Sequence, residues 1–234
     1  MKKILIGGCS FSQYSGFPNE NVKPIWTSWT DFFLRDYSST FNITNRAQGS
    51  FGQSRIVETI TDELIKNNFN IDYVIIQWSA IGRGYSINES SFFERMVIQS
   101  EVPFSPHIHE YISNNDKEGW VTNLTNTISK SFYTTSLNQI LLMKSLLELK
   151  GIRYKMFWGW EQLTPVIENE TRSLLNLIYD DSFWRHGNHG GMSEWILSNM
   201  NDEEGFVGNG DFHPSTKGHE FFYNTIIKDI LNEI

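Results

Sequence analysis

Two short segments at opposite ends of the chain carry residue types able to act on a carbonyl. Near the start, Gly8-Cys9-Ser10-Phe11-Ser12 sets a serine hydroxyl on a glycine turn. Near the end, Asp211-Phe212-His213-Pro214 sets a carboxylate two residues before an imidazole. A serine hydroxyl attacks a carbonyl at neutral pH only when a neighbouring base takes its proton and a third group orients that base. Imidazole is suited to the base, and a carboxylate can hold its tautomer and stabilise the imidazolium that forms. Taken singly, each segment has a plainer use: Ser10 as the polar cap of a following helix, and Asp211 as a cap beside a surface His213.

The remaining chemistry-bearing residues are less ordered by pattern. His186-Gly187-Asn188-His189 has a metal-like spacing that Asp211 and His213 could complete. Glycines surround it, however, and no expected helix fixes its geometry, so a loop lining the pocket is expected, with His189 on the substrate side and no metal or cofactor. His107 and His109 are expected at the surface, and His219 is expected to pack or cap within the last helix. Arg55 and Arg83 could meet an anionic substrate group, although surface ion pairs are the commoner use of such residues.

The elements that must position Ser10 and His213 follow from hydropathy. Lys3 to Gly7 is an apolar run ending in glycines, as a buried parallel strand and a tight turn require. Trp26 to Leu34 has helical spacing after Pro24, Phe41 to Thr44 reads as a short strand, and Ser54 to Ile65 reads as a helix. Asp72 to Trp78 is continuous and β-branched, the pattern of a strand covered on both faces. Residues from about 81 to 131 are polar, rich in Asn and Ser and interrupted by Pro103 and Pro106, and read as an insertion beside the site. Within it, Phe104, Tyr111 and Trp120 could wall a substrate cleft. Leu137 to Leu149 is an apolar helix stopped by Gly151, Ile152 to Trp158 a further strand, and Phe221 to Ile234 a closing amphipathic helix. Pro214 is placed to open the first turn of that helix. Strands alternating with helices predict one α/β domain over residues 1–234, with a parallel sheet covered on both faces and right-handed crossovers. Ligands in such sheets sit beyond the carboxyl ends of the strands, which selects the loops after Gly7, Thr44, Ile76 and Trp158.

Composition narrows the partners. The 234 residues carry 27 acidic and 19 basic side chains, a net charge of −8, which is the wrong field for a nonspecific nucleic-acid binder. Cys9 is the only cysteine, so no intrachain disulfide and no multi-thiolate zinc site can form. About three strongly apolar residues follow Lys2 and Lys3, short of the roughly 7 to 15 of a secretory h-region. No stretch reaches the roughly 18 apolar residues of a membrane span. The expectation is a soluble chain made without a signal peptide and with no membrane or nucleic-acid partner. Eight Trp and 15% aromatic content suit a core and also a stacking surface for sugars.

Taken together, these segments resemble the SGNH (GDSL-like) hydrolase superfamily. Gly8-Cys9-Ser10-Phe11-Ser12 is similar to its first block, Gly-Asp-Ser-x-Ser, with Cys9 in place of Asp. Gly49-Ser50-Phe51-Gly52, after Asn45-Arg46-Ala47, is similar to the second block, whose first glycine donates a backbone N–H to the oxyanion. The third block falls on Gln77-Trp78-Ser79-Ala80, where the oxyanion Asn of the family is absent and Ser79 is the available donor. The last block is matched one residue short, as Asp211-Phe212-His213. The overall pattern resembles a branch of SGNH-like proteins of tailed bacteriophages.

The resemblance implies a flavodoxin-like three-layer α/β/α fold with a central parallel sheet. It also implies an esterase or carbohydrate O-deacetylase in which Ser10 is the nucleophile, His213 the base and Asp211 its orienting group. The backbone N–H groups of Ser10 and Gly49, with Ser79, would hold the oxyanion, and Trp78, Arg83 and His189 would contact a small-molecule or glycan ester. The competing expectation is a non-catalytic binding or virion-associated module on the same fold, since fold does not fix function. The distance from the Ser10 hydroxyl to the His213 ring discriminates the two. Oligomeric state is not written in the sequence.

Overall fold

The computed structural model describes residues 1–13, 26–49, 51–79, 118–160, 165–208 and 211–233, and within these it leaves aside the side chains of 118–132, 165–168, 170, 211 and 212. Among the described residues, five parallel strands form the central sheet: β1 (Lys2–Gly7), β2 (Phe41–Asn45), β3 (Tyr73–Trp78), β4 (Arg153–Trp158) and β5 (Phe183–Trp184), in the order β2-β1-β3-β4-β5. The register pairs Ile6 with both Asn45 and Ile75, and Trp78 with Trp158, so the carboxyl ends of the strands finish close together. A second, antiparallel hairpin of β6 (Phe206–Gly208) and β7 (Asp211–Pro214) stands apart from this sheet.

The two-residue period of the strands sorts their side chains into two cores. Leu5, Val74, Ile76, Trp78, Met156 and Trp158 face α2 (Gln53–Lys66), α3 (Glu118–Leu149) and α4 (Pro165–Ile178). Ile4, Ile6, Tyr73, Ile75 and Phe157 face the other way, against α1 (Trp29–Tyr37), α5 (Met192–Asn199) and the closing helix. That helix follows a short turn α6 (Asp202–Gly205) and the hairpin. It begins as α7 (Thr216–Phe222), passes through a π-helical turn at Tyr223–Ile227, and ends as α8 (Lys228–Asn232). The fold is thus the three-layer α/β/α arrangement expected from the sequence.

Several boundaries move for local physical reasons. Helix α1 starts at Trp29, because Ser28 is its N-cap and donates its own N–H to the Asp31 carboxylate at 2.7 Å, so Trp26 lies outside the helix. Residues 118–131, assigned by their polar composition to the insertion, are the first turns of the 32-residue α3, continuous with the apolar segment at its end. Gly151 does stop that helix, with φ at +63°. Pro214 ends strand β7 instead of opening a helix. Ser215 is the cap of α7, its hydroxyl accepting from the Gly218 N–H at 3.1 Å. Residues 81–117 of the insertion, with Phe104 and Tyr111, lie outside the described residues.

Candidate active site

Ser10 sits at the carboxyl edge of β1, on a single 3-10 turn, Ser10–Ser12, reached through Gly7 and Gly8. The approach is close enough that a Cβ at Gly8 would lie 3.1 Å from both the Gln77 carbonyl oxygen and its side-chain oxygen. Gln77 lies in the middle of the sheet, on β3, with no exposed surface. Its Oε1 accepts from the Cys9 N–H (3.2 Å), the Cys9 thiol (3.3 Å) and the Ser12 hydroxyl (3.3 Å), while its Nε2 donates to the Trp78 carbonyl at 2.6 Å. One buried carboxamide therefore ties the Ser10 turn to the neighbouring strand. Ser12 in turn accepts from the Trp29 indole N–H at 2.9 Å, coupling the turn to α1.

The loop after β2 is fastened to the same turn. Arg46 N–H bonds the Ile6 carbonyl at 2.8 Å, Gln48 N–H the Gly8 carbonyl at 3.2 Å, and the Asn45 side chain the Ser12 carbonyl at 2.9 Å. These bonds carry Gly49 to Ser10: a Cβ built on Gly49 would lie 3.9 Å from the Ser10 Cβ. In the resting structure the Gly49 N–H donates to the Gln13 side-chain oxygen at 2.7 Å.

His213 arrives from β7. Its Nε2 lies 2.8 Å from the Ser10 Oγ, a hydrogen bond across 203 positions of sequence. When the hydroxyl donates, the ring carries its own proton on Nδ1. The imidazole is held between aromatic faces: Trp26 stacks on it with centroids 4.6 Å apart and planes 19° from parallel, and Phe11 meets it edge-on at 5.3 Å. Phe11 is braced in turn by Trp160 at 4.9 Å. Sequence reasoning did not single out Trp26 for the site, because it counted Trp26 as the first residue of the helix that in fact begins at Trp29.

A second histidine lies close behind. His219 is fully buried in α7, where its Nδ1 accepts the Trp29 N–H at 3.3 Å. Burial pushes its pKa down to about 3, with the nearby His213 adding to the effect, so at neutral pH it is uncharged.

The other expected site residues divide. Ser79 follows β3 with 1% of its surface exposed, and its hydroxyl makes no hydrogen bond among the described residues. Its carbonyl accepts from Gln53 at 2.6 Å, which anchors the segment. Trp78, expected to contact substrate, does not: it is completely buried in the core against α3, because its place in the strand period points it into that layer. His189 lies in the loop before α5, its Nδ1 3.4 Å from the Tyr179 hydroxyl, which itself accepts from the Trp158 indole at 2.9 Å. His186 bonds the Ser198 hydroxyl at 2.9 Å, so the two histidines of that loop hold different partners. Asp211 lies on β7 by its backbone, with its carboxylate outside the described side chains, and Arg83 lies outside the described residues. Arg55 forms a surface ion pair with Glu58 at 2.7 Å.

No family model and no curated protein matches the chain by sequence. Its structure is similar to that of the psychrotrophic esterase EstA from Pseudoalteromonas sp., solved in a form inhibited by monoethylphosphonate. The TM-score is 0.53 at 11% identity, covering 99% of this chain and 100% of that one. It is also similar to the YxiM protein of Bacillus subtilis, with a TM-score of 0.52 at 13% identity, over 99% of this chain and 56% of that one. At such identity the likeness is one of fold: a parallel sheet between two helical layers.

Proposed function

We propose that the chain is a serine hydrolase of acyl esters, a short-chain esterase or carbohydrate O-deacetylase on a divergent, phage-like branch of the SGNH pattern. The observation that carries this is the 2.8 Å contact between the Ser10 hydroxyl and the His213 ring. A module that had lost its chemistry would have no need of that contact.

The reaction runs as acyl transfer to water. His213 Nε2 takes the hydroxyl proton as Ser10 Oγ bonds to the ester carbonyl carbon, and the carbonyl oxygen gathers the negative charge. The backbone N–H groups of Ser10 and Gly49, with the Ser79 hydroxyl, face that charge, each such donor contributing about 2.7–4 kcal/mol in acyl-transfer sites. The imidazolium returns its proton to the departing alkoxide. Water then attacks the acyl-serine with His213 again as base, releasing the acid and restoring the serine. Asp211 supplies the carboxylate that fixes the ring: in a strand, position 211 lies on the same face as position 213, so the Asp-x-His spacing suits β7. Neutral His219 keeps the charge of the imidazolium isolated.

The test is Ser10→Ala beside a fluorophosphonate probe. Wild type is expected to hydrolyse short acyl esters and to be labelled at Ser10, and the variant to do neither. Unchanged hydrolysis in the variant, or no labelling of wild type, overturns the proposal. A panel of acetylated sugars separates the deacetylase from the general esterase.

A further inference from the structure

The donor assigned to the oxyanion is occupied in the resting protein. Gly49 N–H points at a carbonyl oxygen already, that of the Gln13 carboxamide, at 2.7 Å, and that distance falls within the range of about 2.7–3.1 Å required of an oxyanion donor. An N–H can only donate, so the Gln13 atom it meets is the oxygen. Gln13 closes the 3-10 turn that bears Ser10, its own N–H bonding the Ser10 carbonyl at 3.3 Å. It is therefore covalently tethered three residues from the nucleophile. The same oxygen would stand 2.9 Å from a Cβ on Gly49, whose other neighbour would be the Ser10 Cβ. The carboxamide thus lies against Gly49 on the side where Ser10 also lies.

We propose that Gln13 is a positioning residue of the acyl site, its carboxamide oxygen standing in for the ester carbonyl oxygen until substrate displaces it. The proposal rests on the serine-hydrolase reading above. The contact keeps the Gly49 N–H directed at the acyl-oxygen position and satisfies this part-buried donor in the absence of substrate. Binding of an ester exchanges one carbonyl acceptor for another at the same donor. The exchange makes substrate binding weaker by the net worth of one neutral hydrogen bond and leaves the subsequent chemistry alone. Gln13 therefore sets KM, and favours esters whose carbonyl is a better acceptor or whose remaining contacts are stronger.

The test compares Gln13→Ala and the near-isosteric Gln13→Met with wild type on a short chromogenic ester, together with the hydrogen-exchange rate of the Gly49 amide. Both variants are expected to lower KM by about 2- to 10-fold, the equivalent of one net hydrogen bond, with kcat changed by less than about 2-fold. Their Gly49 amide is expected to exchange faster. Gln13→Glu, whose carboxylate accepts more strongly, is expected to move KM upward. An unchanged Gly49 exchange rate, an unchanged KM, or a fall in kcat in both the Ala and Met variants overturns the proposal while leaving Ser10-dependent hydrolysis standing. Loss of Ser10 dependence itself, with Gly49 exchange still accelerated, overturns the hydrolase reading and the acyl role of Gln13 with it, and leaves only the contact.

Discussion

The Trp26 indole lies almost parallel to the His213 imidazole, 4.6 Å from it, so the ring that faces Ser10 has an aromatic plane as its floor. Such a face attracts a cation by roughly 0.5–2 kcal/mol, and the attraction appears only once the imidazole has taken a proton. Trp26→Ala is expected to lower kcat by about 2- to 30-fold, with little change in KM, and Trp26→Phe to recover part of the loss. Steady-state kinetics on a short ester measure this. Equal kcat for wild type and the Ala variant would remove Trp26 from the account.

Gln77 gathers three donors on one buried oxygen, and its loss strands them together. Gln77→Leu, close in volume, is expected to destabilise the fold by roughly 2–4 kcal/mol, because the Cys9 N–H and Ser12 hydroxyl keep their desolvation cost without a partner. Urea unfolding reads the stability. Phosphonylation of Ser10 is expected to slow in the same variant, since the turn that aims the hydroxyl loses its anchor.

The buried His219 couples folding to pH. Its folded pKa, about 3, lies below the ordinary histidine value of 6.5, so between these values the unfolded chain binds a proton that the native chain does not. Stability is then full above about pH 6.5 and falls progressively as the pH drops toward 3. Urea midpoints measured across this window are expected to decline. In His219→Asn, which keeps an acceptor near the Trp29 N–H, the starting stability is lower but the decline is shallower. An identical slope in both proteins would count against this assignment.

Two glycines of the loop before α5 are expected to respond differently to the same substitution. A Cβ at Gly191 would lie 2.2 Å from the Trp158 carbonyl oxygen, a backbone atom that cannot rotate away, whereas a Cβ at Gly187 would meet nothing within 4 Å but would sit at a φ of +62°. Gly187→Ala is expected to cost about 1–2 kcal/mol through backbone strain alone. Gly191→Ala is expected to cost more and to lower Tm further, since the end of β4 must move. Thermal unfolding of the two variants side by side distinguishes steric from conformational cost.

The layers of this fold were legible because strand periodicity is a local property. Val74, Ile76 and Trp78 alternate with Tyr73 and Ile75 whatever lies across the sheet, and the glycines after Ile6 mark the turn. Trp78, expected at the substrate from the family resemblance, is turned to the core by the same two-residue period that marks β3. The hairpin was missed because β6 and β7 are only 3 and 4 residues long, and Pro214 gave a stronger helix-start signal than so short a strand can oppose. Ser10 and His213 could be named from their types, yet their meeting depends on how the hairpin docks, which no local pattern encodes. The parts played by Gln13 and Gln77 escaped notice because a carboxamide carries no charge or spacing that marks its partners in sequence; only its contacts in space do.

Ser10 lies on the turn that leaves the central sheet and His213 on a separate two-stranded hairpin, which meets the rest through contacts such as the Trp26 stack. The pair is consequently an interface between two structural units, and its integrity reports on docking more than on the fold. Mild denaturant that lifts the hairpin would silence the serine while the sheet stays intact, so loss of activity would precede the loss of secondary structure. In that sense the hairpin would act as a removable half of the active site, with the nucleophile dormant whenever its partner is undocked.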